Sequence, residues 1–284
     1  MSLSHFFLEQ QVIAHEKHDT FILDLSSEDV KHAKVLRLGA GEHIGIVDAH
    51  QDYFEVEIVS FDTEGIRVRI AQRLDAPSHL PHVVLFQGLA KGDKMDSVIR
   101  HATELGVSEF VPLACKRSVL KLDKKRAANK LQRWRAIAKS AAMQSGQMRV
   151  PKVCELHSIP EALPLLSGLS AVLICWEEAP GTASLSQALR DAFDAFGHDD
   201  ELVTTIGVVV GPEGGLDAGE VETLLSSNRA ASLVSLGPSI LRTETAGIVA
   251  PALVLYELGA LGGARPGESG ESVYHHSRYD EESR

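Results

Sequence analysis

The sequence predicts an α/β protein in two parts: a small N-terminal unit of short strands, then a larger unit with a parallel sheet between helices. Three observations carry this. Strand-like runs separated by turn signals at short spacing fill the first 75 residues. From residue 83 onward, strand-like and helix-like stretches alternate. Two of the later strands end in glycine–proline turns that open into helices.

In the first part, HFFLEQQVIA (5–14) and TFILDL (20–25) read as strands, and SSEDVKHAKVLRL (26–38) as a helix opened by a serine cap. GEHIGIVDA (41–49), DYFEVEIVSF (52–61) and GIRVRIAQRL (65–74) follow as strands. Their turn signals lie at Gly39–Gly41, Ala49–Asp52 and Asp62–Gly65, the spacing of a small antiparallel barrel or sandwich. Residues 1–75 form this domain, and 76–82, with Pro77 and Pro81, form a linker.

In the second part, VVLFQGL (83–89) is a strand and DKMDSVIRHATELG (93–106) a helix. VSEFVPLA (107–114) leads to a long basic helix over 123–144. AVLICW (171–176) precedes a helix over 183–196, TIGVVVG (205–211) a helix after the glycine turn, and ASLVSLG (231–237) the helix TETAGIVAPALVLYELG (243–259). Alternation of this kind implies a parallel sheet covered on both faces, with ligands bound beyond the carboxyl ends of its strands. This domain runs over 83–262, and the polar stretch 263–284 reads as a mobile tail. The tail's His275–His276 pair has no further ligand at metal spacing, so no metal is expected.

Composition narrows the class. The chain is 44% hydrophobic and 24% charged, with no apolar run approaching the roughly 20 residues of a membrane span. The N-terminus MSLSHFFLEQQVIAHEKHD lacks the pattern of a secretory signal. Cys115, Cys154 and Cys175 are far apart and odd in number, which fits reduced, buried thiols in a cytoplasmic protein. The net charge of −11 is uneven: residues 82–150 hold 14 Lys and Arg against 5 Asp and Glu, which leaves −20 elsewhere. KRSVLKLDKKRAANKLQRWRAIAK (116–139) alone has ten basic residues and one acid. Such a run is a solvated helix face or, on an acidic body, the one face that meets phosphates. Trp134 within it either packs in the core or stacks on a base.

The stretch VVVGPEGGLDAGEVETLL (208–225) ends a β-branched run in a bare turn. Gly211, Gly214 and Gly215 admit positive φ and close approach, Asp217 and Glu220 compose a capping box, and Leu216 with Val221 a hydrophobic staple. The spacing is neither that of a dinucleotide fingerprint nor of a P-loop. Two readings stay open: a tight turn without a ligand, or a ligand such as an adenine edge held by backbone groups. SLGPSILRTETAGIVA (235–250) repeats the design, and the two turns are expected on adjacent strand ends. Thr243 and Glu244 suit capping there, whereas Arg242 opposes the helix dipole and wants a carboxylate or a bound group.

GPEGGL (211–216) followed by LGPSILRTETAG (236–247) resembles the signature of the SPOUT methyltransferases that modify uridine N3 in 16S ribosomal RNA, the RsmE family. VLFQGLAKGDKMDSVIRHATELGV (84–107), KRSV (116–119), QSGQ (144–147) and HAKVLRLGAGE (32–42) extend the resemblance over most of the chain up to about residue 260. The paired turns in this order are specific. The resemblance implies an N-terminal PUA-like β-barrel for RNA, a C-terminal α/β trefoil-knot domain, a homodimer, and the small ribosomal subunit as partner. It also implies S-adenosylmethionine as methyl donor. Gly211, Pro212, Glu213, Gly214, Gly215 and Leu216 would hold it from one loop, and Leu236, Gly237, Ile240, Leu241, Arg242, Thr245 and Ala246 from the other. Four positions depart from the family pattern: His5, Met143, Gln147 and Ser239.

Methyl transfer to uracil N3 requires alignment, loss of the N3 proton and stabilisation of charge on the neighbouring oxygens. Arg117 and Arg242 are the candidates for that charge, and Glu244 or Glu213 for base or orienting group. Glu104 is expected to be structural. The N3 position lies on the Watson–Crick edge, so the uridine must be unpaired or flipped out. Lys91, Lys94, Arg117, Lys121, Lys124, Lys125, Gln144 and Ser145 would contact RNA, with Arg37 from the first domain. A non-catalytic RNA-binding assembly factor and a related methyltransferase with another RNA target are the rival readings.

Overall fold

The computed structural model describes residues 3–61, 63, 65–74, 81–176, 183–196 and 205–261. Most of the expected linker 76–82 and all of the expected tail 263–284, with its histidine pair, lie outside the described residues.

The first 74 residues build a five-stranded sheet. Its strands are β1 (Ser4–Phe7), β2 (Phe21–Ile22), β3 (His43–Val47), β4 (Tyr53–Phe61) and β5 (Ile66–Leu74), in the order β1-β3-β4-β5-β2. Alternation along β4 buries Phe54, Val56 and Ile58 and turns Glu55 and Glu57 outward, where Glu57 meets Arg69 of β5 at 2.9 Å. Helix α1 (Ser27–Val35) is capped by Ser26, whose Oγ accepts the Asp29 amide at 3.1 Å. Two features differ from the sequence reading. β1 runs parallel to β3, so the sheet is mixed. The 5–14 run leaves the sheet after Phe7 and ends in a 3-10 turn at Ile13–His15, where the buried Asp48 carboxylate takes the Ile13 amide at 3.1 Å. Among the described residues β1 and β2 do not pair, so the hydrogen-bond ladder is open between them.

The remaining strands form an eight-stranded sheet in which every pairing is parallel. In chain order the elements are β6 (His82–Gly88), α2 (Lys94–Leu105), β7 (Glu109–Ala114), α3 (Lys124–Ser145), β8 (Lys152–Val153), β9 (His157–Ser158), α4 (Ile159–Ser167) and β10 (Ala171–Cys175). Then come β11 (Ala183–Ser184), α5 (Leu185–Phe196), β12 (Thr205–Val210), α6 (Ala218–Leu225), β13 (Ala231–Ser235) and α7 (Thr243–Glu257). The order across the sheet is β11-β13-β10-β12-β6-β7-β8, with β9 also beside β7. Central strands are buried on both faces, which is why they read as unbroken runs of Val, Ile and Leu. On one face Leu85, Leu173 and Val208 meet Ile99, Trp134, Leu189 and Val254. On the other, Phe86, Ile174 and Val209 meet Ile159, Leu166, Val221 and Leu224.

The short strands β8, β9 and β11 and helix α4 were not expected from the sequence. Helix α4 nevertheless has a start signal: Glu161 Oε2 accepts both the amide and the hydroxyl of Ser158, each at 2.7 Å.

Helix α3 ties the two sheets together. Asp123 caps it by accepting the Arg126 amide at 2.8 Å. Trp134 is 2% exposed and donates from Nε1 to the buried Asp96 at 3.1 Å, so it packs against α2 and is closed to a base. One turn later, Lys139 reaches Asp29 of α1 at 2.7 Å. Ala142 and Met143 then enter the core of the N-terminal sheet beside Phe6 and Val56. His5 meets the same end of α3: its imidazole packs against Gly146, and its Nε2 shares a 2.7 Å hydrogen bond with the Tyr53 hydroxyl. Met143 and His5, two of the unusual positions, are therefore buried where the two parts join.

Candidate functional site

A cleft of about 410 Å³ lies over the carboxyl ends of β10, β12 and β13. The 211–216 turn forms one wall and the 236–242 segment the other. Their strands are not adjacent as the sequence suggested, because β10 lies between β12 and β13. Cys175, which ends β10, and Trp176 just after it thereby enter the site. Nothing in the spacing along the chain could reveal that insertion, since strand order is a tertiary property.

Of the residues expected at a cofactor, Gly211, Pro212, Glu213, Gly215, Leu236, Gly237, Ile240, Leu241, Arg242 and Ala246 line the cleft. Three do not. Leu216 is 1% exposed and packs with Val221 in the core, as a staple does. Thr245 is exposed near the start of α7. Gly214 faces the 116–119 segment, and a Cβ there would stand 2.9 Å from the Arg117 carbonyl oxygen. That glycine serves a close approach of two loops. Gly237, by contrast, has open space around it and a φ of 115°, so it serves the backbone turn.

A small set of side chains holds the walls. Thr243 Oγ1 donates to the Gly211 carbonyl at 2.6 Å and accepts from Gln87 Nε2 at 2.9 Å. Thr243 therefore bolts the second turn to the first, while Arg242 occupies the cap position of α7 without a side-chain capping bond. On the other side, Lys116 donates its amide to Glu220 at 2.8 Å and its ammonium to Asp217 at 2.6 Å. Arg117 Nη1 donates to the Gly214 carbonyl at 3.3 Å. The KRSV segment thus clamps the glycine turn and its capping box from outside the cleft.

The cleft is charged at one end. Lys94, expected among phosphate contacts, lines it and stands 2.9 Å from Glu244 and 3.4 Å from Glu213. Glu213 Oε1 also accepts the Lys91 amide at 3.0 Å, while its Oε2 is buried with no hydrogen-bond partner among the described residues. Burial works to raise both carboxyls. For Glu213 the Lys91 amide and Lys94 outweigh it, and for Glu244 the Lys94 hydrogen bond does, so both sit below the ordinary carboxylate value. Lys94 is held above its ordinary value by Glu244 first and Glu213 second. At neutral pH all three are charged. Arg242 stands exposed at the rim. Burial pushes the Cys175 thiol up to about 12, so the cysteine in the cleft is a neutral wall. Burial likewise moves Cys115 to about 12 and Cys154 to about 11.

The basic run divides into structural and free charge. Lys116, Arg126, Arg133 and Lys139 are paired with acids, and Arg135 donates to the Val153 carbonyl at 3.2 Å. Lys121, Lys124 and Lys125 are exposed, form no ion pair among the described residues, and lie near the N-terminal end of α3. Lys91 and Gln144 are exposed as well, and Ser145 Oγ turns back to the Ala141 carbonyl at 2.7 Å. Arg37 projects at the end of α1 with a φ of 57°. Of the other unusual positions, Ser239 lines the cleft, and Gln147 donates to the Glu104 carbonyl at 2.9 Å.

Comparison with known proteins agrees with this geometry. The profile of an RNA methyltransferase domain matches residues 77–255. Ribosomal RNA small subunit methyltransferase E of Bacillus subtilis is 34% identical over 265 residues, covering 92% of this chain and 99% of the relative. The enzyme of the same name from Mycobacterium bovis is 32% identical and covers 81% of each chain. Among solved structures, ribosomal RNA small subunit methyltransferase E of Neisseria gonorrhoeae bound to S-adenosylmethionine superposes with a TM-score of 0.71. It is 25% identical and covers 89% of this chain and 97% of its own.

Proposed function

The chain belongs to the RNA methyltransferase family that includes the ribosomal RNA small subunit methyltransferases E, and from that premise we propose that it moves a methyl group from S-adenosylmethionine to N3 of a uridine in 16S ribosomal RNA. The observation that carries this reading is the cleft between the GPEGGL and LGPSILRTETAG turns, with apolar walls at one end and ionised groups at the other.

The residues present fit the methyl donor. A volume of about 410 Å³ lies in the range of about 300–1,000 Å³ usual for small-molecule sites. Val210, Val234, Leu236, Leu241 and Ala246 suit a flat aromatic half, and the Lys94, Glu213 and Glu244 group suits an amino-acid half. When bound, S-adenosylmethionine supplies an electrophilic methyl group on a positively charged sulfur.

The chain's own residues position the base and manage its charge. Arg242, exposed at the rim, faces the charge that builds on the uracil oxygens as N3 loses its proton. Glu213, whose Oε2 has no hydrogen-bond partner among the described residues, is the candidate acceptor for that proton. Glu244 fixes Lys94, and Arg117 holds the glycine turn in place. Lys121, Lys124 and Lys125, with Lys91 and Arg37, meet the phosphate backbone, which supplies affinity and not sequence choice.

In this reading residues 1–75 are a PUA-like RNA-binding domain, and 83–262 a trefoil-knot domain whose α7 passes beneath the 211–216 turn. The Thr243 bond to Gly211 and the Gln87 bond to Thr243 support that threading. The protein works as a homodimer in the cytoplasm.

The test is transfer of labelled methyl from S-adenosylmethionine to unmodified small ribosomal subunits and to free 16S RNA, followed by nucleoside mass spectrometry. 3-Methyluridine is expected. Methyl on another nucleoside refutes the N3 assignment, and binding of the donor without transfer refutes the enzyme.

A further inference from the structure

The chain has two tryptophans, and their indole N–H groups differ in one respect. Trp134 donates to Asp96 in the core. Trp176 lines the cleft, its ring packed against the core beneath the sheet, and its Nε1 is buried without a hydrogen-bond partner among the described residues. Leaving a buried donor unsatisfied costs about 1–3 kcal/mol, so native structures rarely keep one without a use.

Its position shows which use. The strand order β13-β10-β12-β6 places Trp176 at the end of β10, beside the apolar Val234–Leu236 edge. The ionised groups Glu213 and Lys94 follow β12 and β6 at the other end of the cleft. A ligand with an uncharged heteroaromatic half and a charged amino-acid half matches that gradient with its heteroaromatic half toward Trp176 and its charged half toward Lys94 and Glu213.

We propose that Trp176 is a binding residue for the adenosine half of the methyl donor, its Nε1–H donating to an acceptor atom of that half and its ring closing the floor of the cleft. This rests on the cofactor reading above and deepens it. A donor placed there treats the methylated cofactor and its demethylated product alike, since both carry the same adenosine. Discrimination between cofactor and product then rests on the groups that face the sulfur, the one place where the two molecules differ.

The test removes the N–H and keeps an aromatic ring, though a smaller one. Calorimetric affinities of S-adenosylmethionine, S-adenosylhomocysteine and adenosine are compared for the wild type and Trp176→Phe, with melting temperatures taken without ligand. The expected result is a loss of about five- to thirty-fold for all three ligands, with the ligand-free melting temperature unchanged or raised. Equal affinities in the variant overturn the proposal, as does a loss confined to S-adenosylmethionine. A wild type that binds none of the three overturns the cofactor reading and this inference together.

Should the variant fail to fold, the wild type labelled with ¹⁵N-tryptophan gives the answer through its two indole signals. Adenosine is expected to shift the Trp176 signal and leave the slowly exchanging Trp134 signal in place. The reverse, or no shift at saturating adenosine, overturns the proposal.

Discussion

Replacing Thr243 by valine removes the hydroxyl that joins the two walls of the cleft and keeps the side-chain shape. Two hydrogen bonds disappear: the 2.6 Å donation to the Gly211 carbonyl and the 2.9 Å acceptance from Gln87. Each neutral bond contributes about 0.5–1.5 kcal/mol net, which bounds the cost at about 1–3 kcal/mol. Two features pull it below the upper limit. Gln87 Nε2 keeps a 3.2 Å bond to the Gly88 carbonyl, and Gly211 lines an open cleft where water can replace the lost donor. A cost of about 2 kcal/mol lowers the melting temperature by about 4–8 °C in a chain of this size. Because Gly211 is part of the wall, affinity for S-adenosylmethionine falls as well. Thr243→Ser, which keeps the hydroxyl and loses the methyl, is the control. Scanning calorimetry with and without the cofactor reads both effects. If serine proves as damaging as valine, the methyl packing and not the hydroxyl matters, and the bolt described above is refuted.

Two further outcomes test the N-terminal part. Burial, opposed only partly by the Gln147 backbone, lowers the pKa of His5 below its ordinary value. As pH falls through the ordinary histidine range, the unfolded chain takes up this proton first, so stability present at neutral pH is lost on acidification. His5→Gln should flatten part of the decline in melting temperature between neutral pH and about pH 5; His82, lowered chiefly by burial, keeps the rest. A slope unchanged by the variant would refute the assignment. Arg37 holds a left-handed backbone at φ 57°, a conformation that costs a non-glycine residue about 1 kcal/mol. Arg37→Gly is therefore expected to raise stability by about 0.5–1 kcal/mol and to weaken RNA binding, with the salt slope reduced by about one. A glycine variant that binds RNA with the wild-type salt dependence removes Arg37 from the interface.

The regular elements of the sheet were legible because burial on two faces leaves a mark that position along the chain preserves. β6, β10 and β12 are runs of Val, Ile and Leu ended by small or polar residues, and the long α3 declares its start at Asp123. Short elements were not legible. β8, β9 and β11 have two residues each, too few for any period, and their pairing is decided by what they lie beside. The parallel β1–β3 pair was hidden for a related reason: alternation reports which face is buried, and it is silent on the direction of the neighbour.

The site shows where reading by residue type reaches its limit. The glycines, the capping box at Asp217 and Glu220, and the staple of Leu216 with Val221 could be read locally, because their partners lie within a few residues. Lys94 and Trp176 could not. Lys94 belongs by sequence to a basic region and was grouped with phosphate contacts, yet the fold brings it against Glu213 and Glu244, 119 and 150 residues further on. Its charge is thereby paired with two carboxylates at the cleft, whereas Lys121, Lys124 and Lys125 have no acid partner among the described residues. Of the two readings open for Trp134, packing and stacking on a base, the structure shows the first, with its N–H bonded to Asp96 in the core, while the N–H without a partner among the described residues is that of Trp176, just after an apolar strand. A side chain's chemistry is local, but whether that chemistry is already satisfied is decided by residues far away in the chain.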